Sequence, residues 1–182
     1  MTLFADTPRW DNHGTVWGHL ISDVSLEELH AGALRAGLSP RAFDLDHYDW
    51  PVDLRGRLEG AGVRMVGNRE LTRILIRSGL RVPQGRRARA RAERSAADAA
   101  RLGLAPVPRD FIWGPRGHAD PLPVLPGAFR ISQDDPSRLR IQAHDGPGEA
   151  AAAALLARVD ALARAAGHPF WQGQAMDAPR PS

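Results

Sequence analysis

Asp44-Leu45-Asp46-His47-Tyr48-Asp49-Trp50-Pro51-Val52-Asp53 places one histidine, one tyrosine, one tryptophan and four aspartates in a single short run. No other segment of the chain holds so many groups able to bind a metal or move a proton. The run lies between two helical patterns, and its reading decides the fold of the first half of the chain. Pro51 and Asp53 suit the entry to a helix with Leu54, Leu58 and Ala61 on one face. The residues before them, 41–45 leading into His47-Tyr48-Asp49, read as one extended segment. A strand feeding a helix is the repeating unit of an α/β fold.

The same alternation continues on both sides. Upstream, Ser25 with Glu28 three residues on is a capping box. Leu26, Leu29, His30 and Ala33 then follow helical spacing, and Gly37 is a stop signal. Before that helix, Thr15–Ser22 reads as a strand with Thr15, Trp17, His19 and Ile21 on one face. Residues 3–5 form a short first strand that ends at Asp6 and Thr7-Pro8, and residues 11–14, which include His13, form a turn. Downstream, residues 63–66 are a compact apolar strand. Asn68 is placed to cap a third helix whose inner face is Leu71, Ile74, Leu75 and Leu80. The order β-β-α-β-α-β-α predicts a small α/β domain over residues 1–82 with a mostly parallel sheet.

Residues 83–182 are less regular and read as a mixed, helix-rich extension. An arginine- and alanine-rich helix is expected over 85–101. Six prolines between 104 and 127 point to extended loop. A short strand fits 138–143. Asp145 reads as a cap and Pro147 as the first turn of a long helix with Leu155, Leu156, Val159, Leu162 and Ala163 on its stripe. The last dozen residues read as a frayed tail.

Composition narrows the chemistry. The 182 residues include no cysteine, which excludes disulfides, thiol catalysis and thiolate metal sites. All 24 basic residues are arginine, so Schiff-base and P-loop lysine chemistry is excluded too. No long apolar run predicts a membrane span and no leader pattern opens the sequence, so a cytoplasmic location is expected. Residues 1–80 carry nine arginines and eleven carboxylates, and residues 81–182 fifteen and ten. That basic excess sits in Arg81, Arg86, Arg87, Arg89, Arg91 and Arg94, which could contact nucleic acid or an acidic partner. On a helix these arginines spread around the circumference, which favours a solvated surface. There is no GxGxxG, Walker A, HExxH or GxSxG motif.

In a parallel sheet, ligands bind beyond the carboxyl ends of the strands. That rule gathers Asp6, Asp23, Asp46, His47, Asp49, Asn68 and Arg69 at one edge. If the first two strands form a hairpin instead, Asp6 faces the start of the second strand, nearer His13 than Asp23. The candidate ligands for a divalent metal (Zn²⁺, Mn²⁺ or Mg²⁺) are Asp6, His19, Asp23 and Asp46. His47 with Asp49 forms a candidate general-base pair, and Arg9 and Arg69 are candidate contacts for an anionic substrate. The alternative reading stays open: Asp6, Asp23 and Asp49 precede turns or helices, where aspartate is a common cap, and His19 and His30 sit where histidines often serve packing.

Residues 1 to about 82 resemble the bacterial and phage family catalogued as domain of unknown function 4031. The resemblance is carried by Asp6-x-Pro-Arg-Trp, Gly14-x-x-Trp-Gly-His-Leu-x-Ser-Asp23, Leu26-x-x-Leu-His30, Asp46-His-Tyr-Asp49, Arg69-Glu-Leu and the ending at 77–81. It implies that these polar motifs recur as a set, without an established activity. Joining of related domains to hydrolase-like domains leans towards nucleotide or phosphoester metabolism. Residues 83–182 show no such hydrolase motif, so the expectation of a metal-assisted hydrolase of a phosphorylated or nucleotide-like small molecule rests on the polar residues named above. The alternatives are a non-catalytic nucleic-acid or protein binding module using the arginine-rich segment, and an interaction domain whose polar motifs only build turns.

Overall fold

The computed structural model describes residues 2–12, 14–117 and 121–178. His13, part of the proline-rich stretch and the last four residues of the expected tail lie outside them. The chain forms two compact units, Met1–Arg87 and Ala88–Ser182. Among the described residues, no helix is long and apolar enough to cross a membrane.

The first unit contains β1 (Leu3–Asp6), β2 (Trp10–Asn12), β3 (Thr15–Ser22), α1 (Leu26–Arg35), β4 (Phe43–Asp44), β5 (His47–Pro51), α2 (Arg55–Gly60), β6 (Arg64–Val66) and α3 (Asn68–Arg77). The sheet order is β4-β5-β3-β1-β6, with β2 paired to β3. The unit is α/β, but the expected mostly parallel sheet is corrected. β1 and β6 pair in parallel, whereas β1–β3, β2–β3, β3–β5 and β4–β5 are antiparallel. Two local features produce this. β1 and β2 follow one another in the same direction along β3, and the short link from β2 to β3 folds β3 back on both. Leu45, at φ 60°, turns the chain sharply, so the expected single extended segment is a hairpin of β4 and β5.

Each face of this sheet has its own helices. Leu3, Ala5, Leu20, Tyr48 and Trp50 pack with Leu29, Ala33 and Leu58 of α1 and α2. Phe4, Ile21 and Val66 pack on the other face with Leu71 and Leu75 of α3. Strand alternation dictates this division. Ser25 caps α1 by accepting from the Glu28 N–H at 3.2 Å. The box is modified, because the Glu28 carboxylate takes the Ser22 hydroxyl instead of reaching back to Ser25. Asn68 is the first residue of α3 rather than its cap; Gly67 holds the cap position and the Asn68 amide is used elsewhere.

The second unit departs further from expectation. It holds most of α4 (Gln84–Arg101), then β7 (Asp110–Trp113), β8 (Phe129–Gln133), β9 (Arg140–Ala143), α5 (Gly146–Ala165) and β10 (Gly173–Asp177). The helix-rich extension is in fact a four-stranded antiparallel sheet, β7-β10-β8-β9, packed with helices. The expected frayed tail contains its inner strand β10. Trp171, fully buried, stacks on Phe111 with ring centroids 5.6 Å apart. Gly-Gln-Ala-Met-Asp has low strand propensity, so only pairing on both sides holds it extended. The edge strand β7 is tied to α4: Ser95 accepts from the Phe111 N–H and Asp98 from the Trp113 N–H. Asp145 caps α5 as expected, accepting from the Gly148 N–H at 2.8 Å.

Candidate metal centre

The polar residues of the first unit collect where the α3 face of the sheet is left uncovered. Phe4 and Ile21 are roofed by α3. Further along the same face, alternation puts His19 of β3 and His47 and Asp49 of β5. His19 and Asp49 are direct cross-strand partners. A cavity of about 380 Å³ opens here, lined by His19, His47, Asp6, Trp10, Arg81 and Gln84 among others.

His19 Nε2 lies 3.9 Å and His47 Nε2 3.4 Å from Asp49 Oδ1. One ligand atom from each of the three residues falls within 4.8 Å of the others. Ligand atoms around a tetrahedral zinc ion with bonds near 2.0 Å lie about 3.3 Å apart. The His47–Asp49 separation matches that spacing and the His19–Asp49 separation is somewhat wider.

Behind each imidazole stands a buried carboxylate. His19 Nδ1 is 3.0 Å from Asp6 Oδ2, and His47 Nδ1 is 2.6 Å from Asp46 Oδ1. A carboxylate accepts only, so each Nδ1 carries a proton and each Nε2 faces the cluster. Carboxylates in this relation orient metal-binding histidines and raise their basicity. Asp6 is placed by the fold. β1 ends before β2 begins, which leaves the His19 N–H without a strand partner, and Asp6 Oδ1 accepts it at 2.6 Å. The Asn68 amide donates to Asp6 Oδ2 at 2.8 Å. Gly18 is needed at this crossing, since a Cβ there would lie 2.9 Å from the Trp50 ring and 3.0 Å from Asp6 Oδ1.

Asp46 is fully buried in the β4–β5 turn. It accepts from the Val82 N–H at 2.6 Å and from Arg87 Nη1 at 3.2 Å, while Arg87 Nη2 reaches the Asp44 carboxylate. Burial pushes the Asp46 carboxyl up, but the His47 hydrogen bond, the Val82 N–H and the charges of His47 and Arg87 hold it below its ordinary range. Burial likewise opposes charge on His47. Its hydrogen bonds to Asp46 and Asp49, and their charges, outweigh burial and raise its pKa to about 9.

That proton has a consequence for the metal-free chain. The folded pKa of His47 exceeds the ordinary 6.5. Its stabilisation is therefore complete below about pH 6.5 and is lost as the pH rises through about 9. Urea unfolding of chelator-treated protein should show about 3 kcal/mol less stability at about pH 10 than at about pH 6. His47→Gln should remove most of that difference. A wild-type profile as flat as the variant's would show that this proton contributes nothing.

The candidate residues read from the sequence divide clearly. Asp6, His19, Asp46, His47 and Asp49 come together. His19 joins His47 and Asp49 at the cluster, and Asp6 and Asp46 stand one shell behind. Asp23 is not brought to it. β3 runs antiparallel to β1, so its carboxyl end lies beside Leu3, at the far end from Asp6, and Asp23 is exposed there. Arg9 is exposed with its guanidinium 5.6 Å from the Trp10 ring centroid, and Arg69 is exposed on α3 without lining the cavity. Among the described residues the arginines at the cavity are Arg81 and Arg87, both read from the sequence as part of the basic run, Arg81 also as the end of the family-like stretch. Of that run, Arg87 pairs with Asp44 and Asp46, Arg89 with Glu93 and Arg94 with Asp110. His30 lies on the opposite face, with Nδ1 2.8 Å from the Tyr48 hydroxyl.

No curated protein and no solved structure matches the chain. The family match covers under half of the chain but includes every residue of the histidine–carboxylate cluster, with Arg81 and Arg87 beyond its end. Residues 3–78 match the family described as protein of unknown function (DUF4031).

Proposed function

We propose that the first unit is a divalent-metal hydrolase acting on a phosphorylated, nucleotide-like substrate. One observation carries this reading: His19, His47 and Asp49 converge on a common point, and each imidazole is backed by a buried aspartate. Cross-strand packing alone does not require two such pairs on one open face. Two imidazoles and a carboxylate favour Zn²⁺ or Mn²⁺ over Mg²⁺, which prefers oxygen. A divalent ion held there would supply Lewis acidity and lower the pKa of a bound water.

The chain's own groups divide the remaining work. His19, His47 and Asp49 would hold the ion, and a site with three protein ligands would stay open to water and substrate. The Asp49 side chain is 31% exposed, and its second oxygen is available to take a proton from the attacking water. Arg87 is committed to Asp44 and Asp46. Arg81 is 36% exposed, with Nη1 3.6 Å from Asp46, and is the lining cation open to a phosphoryl group.

The test is to strip the full chain with a chelator, reload it with Zn²⁺, Mn²⁺, Mg²⁺ or Fe²⁺, and follow phosphate release from nucleoside phosphates and simple phosphomonoesters. Stoichiometric Zn²⁺ or Mn²⁺ with metal-dependent release is expected. Iron is included because the same donor set serves iron oxygenases. No release with any metal sinks the hydrolase reading.

A further inference from the structure

We infer that Trp10 is a stacking platform for the aromatic base of the substrate, so that the site takes a nucleoside monophosphate rather than a base-free sugar phosphate. This inference rests on the phosphoester reading above and adds the part of the substrate that the metal cluster does not specify.

Trp10 lies on β2, opposite Trp17 of β3. Strand alternation therefore puts it on the same face as His19. Its ring meets the His19 imidazole edge-on, with centroids 4.5 Å apart, and it lines the cavity. Its side chain is nonetheless 48% exposed. The His19 contact and the exposed Arg9 guanidinium, 5.6 Å from the ring centroid, still leave about half of Trp10 open to a second planar group, which would displace Arg9 from the ring. An aromatic face beside a polar cavity suits a base, since every base presents a π-face.

The spacing also fits. In the order β2-β3-β5, Trp10 lies two strand spacings, roughly 10 Å, from the strand that carries His47. Beyond it, at the Asp46 turn, stands Arg81. A nucleoside monophosphate reaches about that far from base to phosphate. In that pose the phosphate lies at the histidine cluster within reach of Arg81, and the sugar crosses β3. A cavity of about 380 Å³ admits one nucleotide, near the small end of the range for ligand pockets.

The test is calorimetric titration of the full chain with AMP and with ribose 5-phosphate, alongside metal analysis of every sample. Wild type should bind AMP more tightly than ribose 5-phosphate. Trp10→Ala should weaken AMP about tenfold more than it weakens ribose 5-phosphate, at matched metal content, and Trp10→Phe should restore AMP. Arg81→Ala should weaken both ligands alike. Equal affinity of wild type for the two ligands overturns the inference, as does an equal loss of both in Trp10→Ala. If the chain holds no metal, yet AMP binding keeps its dependence on Trp10, the stacking platform stands and the hydrolase reading falls.

Discussion

Removal of either cluster histidine, in His19→Ala or His47→Ala, is expected to abolish stoichiometric metal binding, whereas Asp6→Asn should weaken it about 10–100-fold without abolishing it. The graded result follows from the geometry. The histidines present Nε2 to the shared point with Asp49, while Asp6 acts only through His19, holding Nδ1 at 3.0 Å. An asparagine keeps the shape of Asp6 but loses the carboxylate that accepts from His19 Nδ1. It also forces the side-chain amide to choose among the His19 N–H, the His19 ring and Asn68. Competition titrations with a chromophoric chelator would read the difference. Equal losses in Asp6→Asn and His19→Ala would mean that Asp6 is a ligand or that the variant no longer folds. Circular dichroism separates those two outcomes. Unchanged affinity in all variants would remove the cluster as a metal centre.

Arg87→Ala is expected to cost the first unit about 3–5 kcal/mol, the range for breaking a buried ion pair from one side. Arg87 is buried and meets both Asp44 and Asp46. Its removal leaves Asp46, which has no solvent exposure, with only the His47 ring, the Val82 N–H and the more distant Arg81 for compensation. The cost should appear in urea unfolding followed through the tryptophans. Metal affinity should fall as well, because Asp46 orients His47. Arg89→Ala is the control: its pairing with Glu93 is solvent-exposed, and loss of such a pair leaves stability almost unchanged. Similar effects for the two variants would show that burial of Arg87 contributes little.

Both results turn on residues that were legible to different degrees. His19, His47, Asp49, Asp6 and Asp46 stand out in the sequence as polar groups in or beside predicted strands. The period-two alternation correctly put His19 with Trp17 and Ile21. Their roles were not legible. The sequence alone cannot say which nitrogen of His47 meets Asp46, because that depends on the turn at Leu45. Asp23 looked equivalent to Asp6 as an aspartate closing a strand, and the antiparallel pairing of β1 and β3 separated them. Arg81 and Arg87 were hidden in a run of arginines whose composition marks a solvated helix. Only the packing of the first turn of α4 on the β4–β5 hairpin distinguishes Arg87 from Arg89.

What the sequence by itself determined was local. It specified the α1 and α5 caps at Ser25 and Asp145, the apolar stripes, the alternating faces of β3, the absence of cysteine and lysine chemistry, and the family match over residues 3–78. Hydrogen bonding and side-chain periodicity over a few residues suffice for these. The tertiary structure alone decided the strand directions, the sheet of the second unit and the membership of the cluster. Strand direction depends on one positive φ at Leu45 and on turns too short for a crossover. β10 depends on neighbours more than 30 residues away in sequence. The cluster exists because α3 packs on Phe4 and Ile21 while His19, His47 and Asp49, on the same face, stay partly exposed, an arrangement set by packing between distant segments.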